Sequence, residues 1–190
     1  MKKNLLVILI CSVFILPSCV QSLYPLTENE NQIVFKRELL GQWKENDGTE
    51  YLVSGANDKI YHVVIIDNRR ADSSYFLMTL VSINGKYFLD CMPDTTQHLF
   101  QRLGEQALNF TIPVHNILKL NSVARNSVEI ASIDNDQVIK LMQQKKFSIK
   151  YEPVDKDRTL LLERPEKLQQ KLIDLDRFPS AYEKDILQRK

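Results

Sequence analysis

The chain has 190 residues, 44% of them apolar, and its 26% of charged residues balance to a net charge of +1. Near-neutrality without a basic run excludes a nucleic-acid binder that works by charge. Of the cysteines at 11, 19 and 91, only Cys91 lies beyond residue 19, so an exported form in which Cys19 is itself consumed has no internal disulfide and must fold on its core.

Met1-Lys2-Lys3-Asn4 opens onto an apolar run at residues 5–16 whose one polar side chain is Ser12. Twelve residues suit the core of an export signal and fall short of the ~20 needed to span a bilayer. Residues 1–18 therefore read as a signal peptide. Loss of Lys2 and Lys3 with it makes the remaining chain slightly acidic, and that remainder is the size of one ordinary domain. Leu16-Pro17-Ser18-Cys19 resembles the lipobox of bacterial lipoproteins, with Pro17 departing from the usual small residue. The resemblance implies that Cys19 becomes the first residue, with a diacylglyceryl group on its thiol and usually a further acyl chain, often palmitate, on its amine. Two chains anchor stably where one holds only marginally. Val20, rather than Asp, follows Cys19, and no acidic cluster comes next. By the sorting pattern of that class, the expected place is the outer membrane, facing the periplasm. Residues 19–34 are then a lipid-anchored segment whose Leu23, Tyr24, Pro25 and Leu26 fold back onto the domain or lie at the lipid. Residues 27–32 (TENENQ) form the one linker-like stretch.

Residues 35–190 read as a single mainly β (α+β) domain. "QWKEN" and "TEYLVS" flank Asp47-Gly48, a strong hairpin signal. Residues 59–67 and 74–83 form long β-rich runs, and Asn84-Gly85 turns the second into residues 86–92. Further strands are expected at 113–123, 127–133, 148–154 and 158–163. Nine strands exceed a small open sheet, so the antiparallel meander should form a barrel-like or strongly curved sheet. Two or three helices fall in the C-terminal half. One covers 135–146, with acids first and lysines last. A second opens at Pro165 and runs to 176. Pro179 is expected to open a short third, carrying Tyr182, Ile186 and Leu187. Residues 94–110 permit a helix around Leu99, Phe100 and Leu103.

Two resemblances follow from these residues. "FKRELLGQWKE", residues 35–45, is similar to the start of a lipocalin, where a helical turn leads into Gly-x-Trp on the first barrel strand. That likeness implies that Trp43 plugs the closed end of a barrel. The helix at 135–146, lying between strands, departs from lipocalin topology. The chain also resembles a group of uncharacterised bacterial lipoproteins. The residues that carry this are Ser22-Leu23-Tyr24-Pro25-Leu26, Leu39 to Trp43, Phe88-Leu89-Asp90 and Pro113-Val114-His115. It implies one complete domain and brings no activity.

No cofactor, metal or nucleophile motif is present: there is no HExxH, no Cys-x-x-Cys, no Gly-x-Ser-x-Gly and no Gly-rich phosphate loop. His62 shares a strand face with Ile60, Val64 and Ile66, which suits a core or cavity-lining histidine. His115 follows Pro113 at a strand start, with structural hydrogen bonding as its simplest role. Cys91 alternates with Leu89 and Tyr87 on an apolar face and reads as an inert thiol. The reading that results is a non-catalytic, membrane-anchored binding domain. It takes either a small apolar ligand near Trp43, His62 and His115, or an envelope protein on its surface. The enzymatic alternative is a hydrolase using His115 with a carboxylate.

Overall fold

The computed structural model describes residues 19–68, 72–96, 114–155 and 158–190. Eight antiparallel strands close into a ring: β3 (Gly41–Lys44), β4 (Glu50–Gly55), β5 (Ile60–Asp67), β6 (Asp72–Ile83), β7 (Lys86–Pro93), β8 (His115–Val123), β9 (Ser127–Ile133) and β12 (Tyr182–Arg189). Each strand of the ring pairs with its neighbour in the order given, and β8–β9, β9–β12 and β12–β3 complete the circuit. Closure removes the free edges that a meander would otherwise expose.

Local chemistry makes the turns. Gly48 takes φ 99° in the β3–β4 hairpin, and Asn84 and Gly85 take φ 50° and 78° between β6 and β7. Both signs being positive in that pair matches the twist of the flanking strands.

Four further strands lie outside the ring. β1 (Cys19–Ser22) runs antiparallel to the start of β8 and parallel to β11 (Arg158–Leu161), which pairs in turn with β10 (Tyr151–Pro153). These three form a flap beside β8. The two-residue β2 (Ile33–Val34) pairs with β6 at Val81 and Leu80. The helices α1 (Asn135–Gln143) and α2 (Pro165–Leu175) sit in the connection between β9 and β12. They interrupt the chain there but not the ring.

Two apolar cores result. The first fills the bore, with Trp43, Tyr61, Val63, Met78, Leu80, Leu89, Leu120, Ile130 and Leu187 buried. The second lies outside the wall, where Val20, Leu26, Val81, Phe88, Ile117 and Ile133 meet Val138, Leu161, Leu168 and Leu172. Strand periodicity explains the division: Leu80 and Leu89 face inward while their neighbours Val81 and Phe88 face the helices. The helices bury one stripe each, Val138 and Leu141 on α1, and Leu168, Leu172 and Leu175 on α2.

The C-terminal expectation is corrected. Pro179–Ala181 makes a single 3-10 turn, and Tyr182–Arg189 is the strand that closes the ring. The charged sequence YEKDILQR is a weak strand former alone. Hydrogen bonds to β9 over seven residue pairs and to β3 at Gln188 and Arg189 override that preference. Residues 148–150 fall outside β10, which starts at Tyr151. The helix considered at 94–110 lies mostly outside the described residues. Residues 27–32 are not a linker. Thr27 and Gln32 hydrogen-bond each other, and Gln169 of α2 donates to Gln32 and to the Leu26 carbonyl at 2.9 and 3.0 Å.

Candidate functional site

The bore is closed at one end by the segment that enters β3. Trp43 is 1% exposed, and its Nε1 donates to the Leu39 carbonyl at 2.9 Å. The Arg189 guanidinium lies 4.2 Å from the Trp43 ring centroid, and its nitrogens donate to the carbonyls of Glu38, Leu40 and Arg125. One side chain at the end of β12 thus ties the β8–β9 turn and the 3-10 turn Arg37–Leu39 across the barrel end. Gly41 follows from this arrangement. Its φ is 130°, and a Cβ there would stand 2.5 Å from Arg189 Nη1. Phe35 stacks on Tyr61 at 4.5 Å, and the Tyr61 hydroxyl accepts the Lys36 N–H at 2.6 Å. That end is solid.

Toward the other end the inward-facing side chains Tyr51, Ile65, Phe76 and Leu118 are only half-buried. This rim also carries acid. The Tyr51 hydroxyl donates to Glu45 Oε2 at 2.8 Å. Burial holds the Glu45 carboxyl above its ordinary value; the Tyr51 bond opposes the shift, and nearby Asp185 and Asp47 add to it. Burial and the same carboxylates push the Tyr51 phenol far up. Cys91, also facing the bore, has its thiol pushed up by burial and by Asp90, so it is a poor nucleophile.

A second constellation lies on the outer wall. Asp90 of β7 is 4% exposed; its Oδ2 accepts the Leu26 N–H at 2.7 Å, and its Oδ1 shares a 2.7 Å hydrogen bond with His115 Nδ1. Ser22 stands opposite His115 in the β1–β8 pair. Serine, histidine and aspartate therefore meet, but not as a working triad. Ser22 is fully buried, its Oγ donates to the Tyr24 carbonyl at 2.7 Å, and the His115 side chain is 12% exposed. The group fastens residues 22–26 to the barrel wall.

The sequence-derived residues thus fall in different places. Trp43 is in the bore, at its closed end. His62 is not in the bore: Tyr61 and Val63 point inward, so the alternation puts His62 on the outer surface, with 43% of its side chain exposed. Its Nδ1 is 3.6 Å from Oδ2 of Asp94, too far for a hydrogen bond. His115 is likewise on the outer wall, so the three do not line one cavity. Cys19 begins β1, directly against the fold. Among the described residues no group of three His, Cys, Asp or Glu side chains is placed to hold a metal ion, and no helix is long and apolar enough to cross a membrane.

Sequence reading missed Arg189 and the Glu45–Asp185 rim. The first lies at the chain's end and the second joins residues from β12 and the β3–β4 turn, so no local pattern marks either. Against family models, curated proteins and solved structures, the chain has no match.

Proposed function

We propose that this chain is a lipid-anchored envelope protein, attached through Cys19 in the outer membrane and facing the periplasm, whose barrel takes a small apolar ligand through its rim. The observation that carries the reading is the plug at one end of the bore. Half-buried apolar side chains stand at both ends, Leu40, Tyr87 and Val123 at one and Tyr51, Ile65, Phe76 and Leu118 at the other, and among the described residues Trp43, Arg189 and the 3-10 turn stopper the first. Eight strands give an interior that side chains can fill or that holds one small ligand; Trp43, Tyr61, Met78 and Leu80 fill the closed end, so the rim is where a ligand would lodge. The stoppered end also supports the lipocalin likeness of Gly41-x-Trp43.

Native mass spectrometry on residues 20–190, exported and purified from the natural host, tests this. A reproducible added mass that Leu118→Trp abolishes without unfolding the domain supports the ligand reading. An empty barrel that also fails to take up an environment-sensitive fatty-acid probe sinks it. Weight then moves to a protein partner, which a specific surface favours: Leu52, Val64 and Tyr75 form one cross-strand row on the outer wall, and Leu52 and Tyr75 are exposed. The hydrolase alternative at His115 is tested by Asp90→Asn. Its enclosed histidine and occupied Ser22 hydroxyl favour a fastening role instead.

A further inference from the structure

The flap of β1, β11 and β10 carries a surface that ligand uptake does not use. Cys19 stands opposite Arg158 in the parallel β1–β11 pair. Across β11, the Val154 N–H donates to the Arg158 carbonyl at 2.9 Å. Cys19, Arg158 and Val154 therefore lie side by side at one end of three adjacent strands. Strand spacing of ~4.8 Å puts the backbone of Val154 within about 10 Å of that of Cys19. Val154 is 50% exposed, the most exposed of the large apolar side chains among the described residues. Arg158 beside it is exposed and pairs with Asp155 at 2.7 Å.

There is no slack between this edge and the anchor. Val20 is 5% exposed, Ser22 is fully buried, and Leu26 is fixed by Asp90. The apolar run at 5–16 ends just ahead of Cys19, so under the proposed anchoring the acyl chains enter the bilayer at Cys19. A group within about 10 Å of that point is within reach of the headgroup and acyl boundary, into which interfacial groups sink about 5–10 Å.

We propose that the edge of the flap presented by Val154 and Arg158 is the surface on which this protein rests on a phospholipid bilayer, holding the barrel flush with the membrane rather than on a tether. This rests on the reading of Cys19 as the anchoring point. Val154 contributes apolar area at the acyl boundary. Arg158 lays its methylenes along the same surface; its Nε is held by Asp155, and its two terminal nitrogens are the donors turned to lipid phosphate.

The test uses the full chain processed in its own host, reconstituted into phosphatidylethanolamine–phosphatidylglycerol vesicles. A polarity-sensitive dye is placed at Val154→Cys or, as reference, at Leu52→Cys, each in a Cys91→Ala background. Leu52 is exposed on β4, which lies opposite β8 in the ring. The expected result is a blue-shifted emission at position 154 that a lipid-borne nitroxide extinguishes, with an unshifted, unquenched signal at 52. Protein that floats with the vesicles while 154 reports water, as 52 does, overturns the contact surface alone. Protein that fails to float overturns the anchoring reading and this inference together. A shift at 154 that follows protein density and ignores the nitroxide makes a second copy the occupant, and overturns the membrane.

Discussion

Replacing Asp90 with Ala should loosen the N-terminal segment from the barrel without dismantling the barrel. The buried carboxylate serves two partners, the Leu26 N–H at 2.7 Å and His115 Nδ1 at 2.7 Å. Leu26 itself is fully buried, so its N–H has no water to turn to. An unsatisfied buried donor costs about 1–3 kcal/mol and the lost bond to His115 adds about 1, giving a total of about 2–4 kcal/mol. Asp90→Asn keeps an oxygen for Leu26 and offers its amide to His115 Nδ1, so its cost should be nearer about 1 kcal/mol. Urea unfolding of residues 20–190, followed by the fluorescence of the single Trp43, reads the global term. Amide exchange at Leu26 reads local opening, since Trp43 sits in the bore and reports on the ring. The double mutant with His115→Ala should show a coupling of about 0.5–3 kcal/mol. If Asp90→Ala costs under about 0.5 kcal/mol and leaves Leu26 exchange unchanged, the clasp does not hold the segment and the reasoning fails.

Gly41→Ala places a Cβ at 2.5 Å from Arg189 Nη1 with φ at 130°; strain of about 1–3 kcal/mol is expected, and Arg189→Ala should relieve only the steric part in thermal melts. Glu45 has a raised pKa, so it favours the fold below the ordinary glutamate value and opposes it progressively as pH rises through the raised one; Glu45→Gln should therefore gain stability relative to wild type at pH 8 and not at pH 4. Asp176 behaves in the opposite sense. Although burial works against it, hydrogen bonds from Lys119 and Lys86 hold its carboxyl below the ordinary value. Its contribution is present above the ordinary aspartate value and lost as pH falls through the depressed one. Asp176→Asn should then destabilise at pH 7 and match wild type in strong acid, measured by urea midpoints.

What the sequence made legible was the part encoded by short-range pattern. Asp47-Gly48 and Asn84-Gly85 mark their hairpins, the β-rich runs at 59–67 and 74–83 mark long strands, and Pro165 marks the start of α2. The parts that were not legible depend on partners distant in the chain. Tyr182–Arg189 looks helical from the spacing of Tyr182, Ile186 and Leu187, yet β9 and β3 supply the bonds that make it a strand. His62 looked like a cavity residue because β5 is apolar on both faces. The sequence does not say which face a closed ring turns inward; Tyr61 and Val63 took the bore.

The four motifs that carry the likeness to uncharacterised lipoproteins fall at two places in the structure. Ser22 to Leu26, Phe88 to Asp90 and Val114-His115 converge on one knot, where Asp90 joins Leu26 to His115 beside Ser22. Leu39 to Trp43 forms the other, where Arg189 stoppers the bore. One fixes the segment after Cys19 to the wall; the other closes the barrel. None of these residues is on the half-buried rim of Tyr51, Ile65, Phe76 and Leu118. The motifs therefore account for how the barrel is built and held at its N-terminal segment, and the choice of ligand under the proposed reading is written in the rim. It follows that exchanging Ile65, Phe76 and Leu118 together for other apolar residues should change which mass the barrel retains while costing less than about 1.5 kcal/mol of unfolding free energy per volume-conserving swap. Exchanging Asp90 or Arg189 should do the reverse, lowering stability and leaving the retained mass unaltered. A rim exchange that changes stability but never the bound mass would place the ligand elsewhere than in the bore.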